Sequence, residues 1–330
     1  MGENIMKYLQ TSCLFIIFTL ACTSQFHAMN WKQLNPFKGR VWSVTFSPSG
    51  KYFATSSAET CLTIFDQEYD VLWQSNNLIK EVSAIEFSPD EKYLAIPKFK
   101  NETDVGLIDL DNFQVYHILS GHSDWVTCID FSSDGLSVAT GSDDASVRIW
   151  KKIGQSFMLH QQISNHGASI ANLCFSQNSD FLSVCGKNII RIYHKVYNQY
   201  QPYQKIISDA RFVNGLAFHP NNKILTVGTY RGSVLVYRNN GKQFELHQRL
   251  KDHTKMVHSI DFTSDGQYMA TGSWDSQICI WKHLKTKFSK MGELQAHKKQ
   301  VYDIAFHPDG HHLASGSEDN TVLIWQIFFK

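Results

Sequence analysis

A phenylalanine recurs along the chain at Phe46, Phe87, Phe131, Phe175, Phe218, Phe262 and Phe306, in steps of 41, 44, 44, 43, 44 and 44 residues. Five and two residues before each stands an apolar pair: Val41/Val44, Val82/Ile85, Val126/Ile129, Ile170/Leu173, Val213/Leu216, Val257/Ile260 and Val301/Ile304. Nineteen residues after it comes an aromatic, at Phe65, Trp150, Tyr237, Trp281 and Trp325. The fourth repeat has Tyr193 one residue early, and the second has Ile108 after a two-residue insertion. Each unit contains short strand signals separated by turn signals. In the third, Val126, Ile129 and Phe131 mark a first strand whose one-residue slip predicts a bulge. Ser132–Gly135 is a turn, Ser137–Ser142 a second strand, Asp143–Ala145 a turn, and Ser146–Trp150 a third strand. One such sheet is too small to be stable alone. Seven in register call for a radial arrangement in which each buries its face against the next.

This register resembles that of the WD-repeat β-propeller family, over about nine-tenths of the chain. The resemblance implies an all-β fold: a seven-bladed propeller of four-stranded antiparallel blades spanning residues 29–330. Leu34 lies seven residues before Val41, the offset that Leu119, Ile163, Ile206, Leu250 and Leu294 keep from their own repeats. Leu34 therefore belongs to a fourth, outer strand. The last repeat ends at Trp325–Lys330 without such a strand. The resemblance implies that the N-terminal segment pairs with the last blade and closes the ring, removing an open sheet edge. The second repeat is the most degenerate, with Pro97 in its second strand, where it deletes a ladder hydrogen bond. The outer strands Gln155–Ile163 and Lys242–Leu250 nearly coincide, which suggests internal duplication.

Residues 1–24 lack the repeat pattern. Lys7 precedes the short apolar run Cys13–Cys22, too short for a membrane span and followed by small residues. It reads as a signal peptide or export leader, so the chain is expected to be secreted, periplasmic or lipid-anchored, and cytosolic if the leader does not function. Membrane attachment is expected only if Cys22 is lipidated. The five remaining cysteines, Cys61, Cys128, Cys174, Cys185 and Cys279, fall at non-equivalent strand positions and are odd in number, which argues against a disulfide framework.

Three sets of residues invite a chemical reading. His122, Ser142, Asp144 and Trp150 recur as His253, Ser273, Asp275 and Trp281, and again as His297, Ser317, Asp319 and Trp325. Ser, His and Asp together suggest a hydrolase. A nucleophile has no reason to be copied at matching positions around a ring. The resemblance implies instead a structural hydrogen-bonded tetrad tying the inter-blade loop to the second and third strands. His307, His311 and His312 surround a Pro-Asp-Gly turn without clear ligand spacing and read as solvated turn residues. The third set is placed by the resemblance at the narrow ring entrance: Arg40, Trp42, Trp125, Thr127, Asp143, Phe212, Asn214, Tyr230, Met256, His258, Trp274, Tyr302 and Glu318. It is rich in the side chains that dominate interfaces.

The expected function is a non-catalytic scaffold binding a protein or peptide on the narrow face, as a monomeric propeller within a complex. The alternative is a propeller enzyme or small-ligand-binding protein using the central channel. No P-loop, Rossmann fingerprint or CxxC pair occurs, so no cofactor or metal is expected. A net charge of +1, with 18% charged residues, supplies no basic field for nucleic acid.

Overall fold

The computed structural model describes residues 26–27, 31–34, 37, 39–59, 61–75, 82–97, 102–164 and 166–329. The leader over 1–24, including Cys22, and the expected domain start at Met29 lie outside the described residues. Seven four-stranded antiparallel sheets form among the described residues, each ordered from the inner strand outward. The inner strands are Val41–Phe46, Glu86–Phe87, Val126–Phe131, Asn172–Phe175, Val213–Phe218, Val257–Phe262 and Val301–Phe306. The repeating phenylalanine ends each of them. In the third blade the second strand is Ser137–Ser142, and the register shifts between Val126 and Cys128, where the bulge was expected.

The inner strand lies at the start of each meander. The loop entering it and the turn between strands two and three therefore share one face of the ring, here the upper face. Backbone bonds from Asp143 N to Trp125 O, Tyr230 N to Phe212 O, and Trp274 N to Met256 O tie the two together, each 2.9 Å long. The other turns form the lower face.

The core lies between blades rather than within them. Cys128, Ala139 and Ile149 of blade 3 pack on Ile170, Leu173 and Leu182 of blade 4. Fully burying a side chain such as Leu or Ile contributes about 1.5–3 kcal/mol, so each blade is stable only beside its neighbours. The approach is close. A Cβ at Gly141 would come within 2.6 Å of Ile170 Cγ2, and one at Gly316 within 2.7 Å of Val41 Cγ1.

The ring closes through Trp31–Leu34, which pairs antiparallel with Val322–Gln326, Leu34 opposite Val322. Leu34, Val322 and Ile324 then share a core with Val41, Val44 and Phe53 of blade 1. Pro97 has the expected consequence. Blade 2 pairs its inner strand only at Glu86–Ala95 and Phe87–Leu94, while Pro97 remains opposite Val105 on the other side.

The near-coincidence of the outer strands also has a physical meaning. The Gln161 amide donates to Tyr200 O and accepts from Tyr200 N, at 2.9 and 2.8 Å. Gln204 does the same to Phe244, and Gln248 to Phe288. These two-point clips join the outer strands of blades 3 to 6, each glutamine reaching the backbone of the next blade's outer strand.

Candidate functional site

The three repeated sets form buried hydrogen-bonded chains, with one correction to their membership. His122 Nδ1 donates to Asp144 Oδ2 at 2.9 Å, and Thr140 Oγ1 lies 2.8 Å from His122 Nε2. The Trp150 indole N–H donates to the same Thr140 oxygen at 3.0 Å. Thr271 holds this central place between His253 and Trp281, and Ser315 holds it between His297 and Trp325. Ser142, Ser273 and Ser317 stand two residues later and cap the turn: each receives the N–H of the turn aspartate and donates to a loop carbonyl. The central hydroxyl must reach inward between blades. In a strand only alternate residues do so, and the serine at the strand's end bends into the turn instead.

The electrostatics follow from this bonding. Burial acts to raise the Asp144 carboxyl, but hydrogen bonds from Ser146, His122 and Ser123 override it and hold the group at about 2. Asp275 is held at about 2 in the same way, with His253 its main donor after the burial effect. Burial lowers His122, which favours the neutral ring. Blade 4 lacks the set. Val184 replaces the central hydroxyl, and His166, only 2% exposed, has neither ring nitrogen hydrogen-bonded. Burial, aided by the nearby Arg191, pushes His166 down to about 4.

The entrance residues divide into two groups. Trp42 and Tyr302 lie 4.8 Å apart, with the Arg40 guanidinium 4.9 Å from the Trp42 ring. Trp274 stacks on His258 at 5.9 Å, and both meet Tyr302, at 6.2 and 5.4 Å. Blades 1, 6 and 7 thus build one aromatic cluster. Its members are less accessible than expected: Tyr302 is 6% and Met256 8% exposed, and Trp42 and Trp274 are half-buried. The rings cover one another because blades 6, 7 and 1 are neighbours in the ring. His258 Nδ1 donates to Tyr302 O at 2.6 Å, and burial pushes the ring down to about 4, so it is neutral and Nε2 is an acceptor.

The second group is exposed. Trp125 is 41%, Phe212 40% and Tyr230 47% exposed. Phe212 and Tyr230 sit 6.1 Å apart on blade 5, and the Trp125 indole donates to Glu102 Oε2 on the neighbouring blade 2 loop. Trp125 stands on blade 3, two blades from Trp42, and so lies apart from the cluster on blades 1, 6 and 7. Asp143, Asn214 and Glu318 are half-buried on the same face. Thr127 is committed elsewhere, donating to Ile170 O of blade 4 at 2.7 Å.

Sequence reasoning missed the acids at the centre of the ring. Asp130 accepts from Phe175 N of the next blade at 2.7 Å, and Asp261 from Phe306 N at 2.7 Å. Asp303 accepts from Ser43 Oγ and Val44 N on blade 1, and from Ser259 Oγ on blade 6. These carboxylates satisfy N–H groups on inner strands, whose second edge has no strand beside it. Burial pushes Asp130 and Asp261 up to about 7, and raises Glu86, which also feels Asp130, Asp261 and Asp303. The available signal was an acid inside an apolar run, as in Ile129-Asp130-Phe131 and Ile260-Asp261-Phe262.

Among the described residues, His307, Asp309 and His312 could hold a metal, their ligand atoms lying within 4.8 Å of one another on the lower face. Their present bonding is self-contained. His312 Nδ1 meets Asp309 Oδ2 at 2.7 Å, and His307 Nδ1 accepts from Asp309 N at 3.1 Å. His219, at the equivalent place in blade 5, likewise accepts from Asn221 N and reaches Gly266 of the next blade. That shared pattern marks His307 as a turn-building residue.

Comparison with known proteins agrees with this architecture. The family described as "WD domain, G-beta repeat" matches residues 31–66, 113–151, 158–194, 201–238, 244–282 and 288–326, leaving the three inner strands of the Pro97 blade unmatched. An uncharacterised WD repeat-containing protein of Synechocystis is 26% identical over 50% of this chain and 47% of its own length. The small ribosomal subunit protein RACK1y of rice is 26% identical over 48% of each chain. The guanine nucleotide-binding protein subunit beta-2 of Caenorhabditis elegans is 29% identical over 33% of this chain and 30% of its own. The chain thus spans half or less of the length of these relatives. With six family segments and seven closed four-stranded blades, the chain belongs to the WD-repeat β-propeller family.

Proposed function

We propose that this propeller is a non-catalytic scaffold that binds a protein or peptide on its upper face, the narrow end by the family resemblance. The observation that carries this reading is the exposure of Trp125, Phe212 and Tyr230 on one face, beside the aromatic cluster of Trp42, Trp274 and Tyr302. Large rings with a polar edge tolerate water when free and gain most from losing it when bound. Propellers of this family serve mostly as interaction scaffolds, and two of the relatives above are named as subunits of larger assemblies. Affinity capture with the full chain, followed by mass spectrometry, identifies the partner. Trp125→Ala and Phe212→Ala should each weaken capture by about 2 kcal/mol with an unchanged circular dichroism spectrum. Full capture by the double variant would refute the reading.

The alternative, chemistry in the central channel, draws support from Asp130 and Asp261, which titrate near neutrality. Their oxygens are already taken by neighbouring N–H groups, which favours a structural role. Partner capture by Asp130→Asn and Asp261→Asn at wild-type level would favour the scaffold. An export leader over residues 1–24 remains part of the proposal.

A further inference from the structure

The near-neutral total charge conceals a separation of charge on the upper face. Arg211, Arg231, Lys251, Lys255, Lys298 and Lys299 are all exposed, and all stand on upper loops of blades 5, 6 and 7. The meander puts them there, because each lies in a loop entering an inner strand or in a turn between strands two and three. None of the six forms a salt bridge among the described residues. Four acids of that sector are otherwise engaged: Asp209 pairs with Arg249 at 2.9 Å, Asp252 lies 3.6 Å from Lys290, and Asp275 and Asp319 serve His253 and His297. Glu318, half-buried beside Tyr302, is the one acid of the blade 7 turn outside an ion pair among the described residues. Blade 3 carries the opposite sign on the same face, with Asp124 exposed and Asp143 beside it. The net charge of +1 averages over this separation.

The exposed rings sit within the arc. Phe212 and Tyr230 stand between Arg211 and Arg231, with the Arg211 guanidinium 5.7 Å from the Phe212 ring. Exposed like charges are screened over about 8 Å, so the arc costs the free protein little. A segment carrying several carboxylates meets many of these cations at once and is steered to them.

We propose that the upper face receives an acidic protein segment laid across blades 5 to 7, its carboxylates on the six cations and its apolar side chains on Phe212 and Tyr230. This rests on the reading of the upper face as the docking surface. A protein segment fits better than nucleic acid. A duplex carries phosphate along its whole length, about one charge per 1.7 Å, and a rod lying over the face would extend onto the acidic blade 3. A short flexible segment stays within the basic sector.

The test is fluorescence anisotropy with the full chain at low salt. The probes are a fluorescein-labelled peptide of repeated Glu-Glu-Phe, the matching Lys-Lys-Phe peptide, and a short DNA duplex. The acidic peptide should bind, and bind more weakly as salt rises, while the basic peptide does not. Lys298→Glu/Lys299→Glu and Arg211→Glu/Arg231→Glu should each weaken binding at least about tenfold. Lys223→Glu/Lys285→Glu reverses two exposed charges on the lower face and should change it less than about twofold. Circular dichroism confirms that each variant is folded. Equal loss in the lower-face variant, no loss in the upper-face variants, or tighter binding of the duplex would overturn the proposal. Retention of captured cellular partners by the charge variants, with loss in Trp125→Ala/Phe212→Ala, would overturn the acidic chemistry and leave the docking face standing.

Discussion

Asp261→Asn should make the protein more stable than wild type at alkaline pH relative to acid pH. Asp261 joins two blades, its carboxylate accepting from Phe262 N at 2.8 Å and from Phe306 N at 2.7 Å. Burial first, with the Asp303 charge as a lesser contribution, raises it from an ordinary 3.8 to about 7. The folded form therefore holds a proton that the unfolded chain has released between these values. Stability from this group is greatest at low pH and falls as pH rises from about 4 to about 7. Linkage puts the loss between pH 5 and pH 8 at about 2–3 kcal/mol, and partial solvent access favours the lower figure. Asparagine keeps one acceptor for a backbone N–H and cannot ionise. Urea unfolding followed by circular dichroism at both pH values gives the difference between variant and wild type directly. Other groups titrate in this range, including Asp130 at about 7, but they are common to both proteins and cancel in that difference. A difference that is independent of pH, or one that favours wild type at pH 8, would refute the reasoning.

Asp275→Ala should destabilise by about 1–3 kcal/mol in denaturant unfolding, because it leaves the buried His253 Nδ1, and the Thr254 N–H beside it, without their acceptor. His166→Leu should change the unfolding midpoint little or raise it, since His166 has no ring partner to lose, whereas His297→Leu breaks a chain through Ser315 to Trp325 and should cost about 2 kcal/mol or more. The same His166→Leu change should also reduce the loss of stability on acidification from about 6.5 towards 4, where the unfolded chain takes up a proton that the buried ring does not. N-terminal sequencing of exported protein should begin after residue 21 or 24, and a chain that retains Met1 in the producing cell's cytoplasm would refute the leader.

The sequence alone determined the number of repeats and the outer-strand register of Leu34, and the family resemblance that this register carries implied the four-stranded blades and the closing strand. A repeat in register carries its own alignment, and Leu34 kept the offset of an outer strand before any pairing was seen. The bulge near Val126 and the broken blade at Pro97 were legible for the same reason, since both follow from local backbone chemistry. Only the tertiary structure decided which hydroxyl completes each tetrad. Thr140 and Ser142 are both polar residues of one strand, and their roles separate only when His122 and Trp150 approach from other elements. It also decided which entrance aromatics remain exposed. Trp125, Trp274 and Tyr302 have equal standing in the sequence, yet Trp274 and Tyr302 cover each other because blades 6 and 7 are adjacent, while Trp125 stands on blade 3. The acids at the centre and the basic arc were invisible for a related reason. Each arises from residues some 40 positions apart, about one repeat, and burial or summed charge acts on them only once the ring closes.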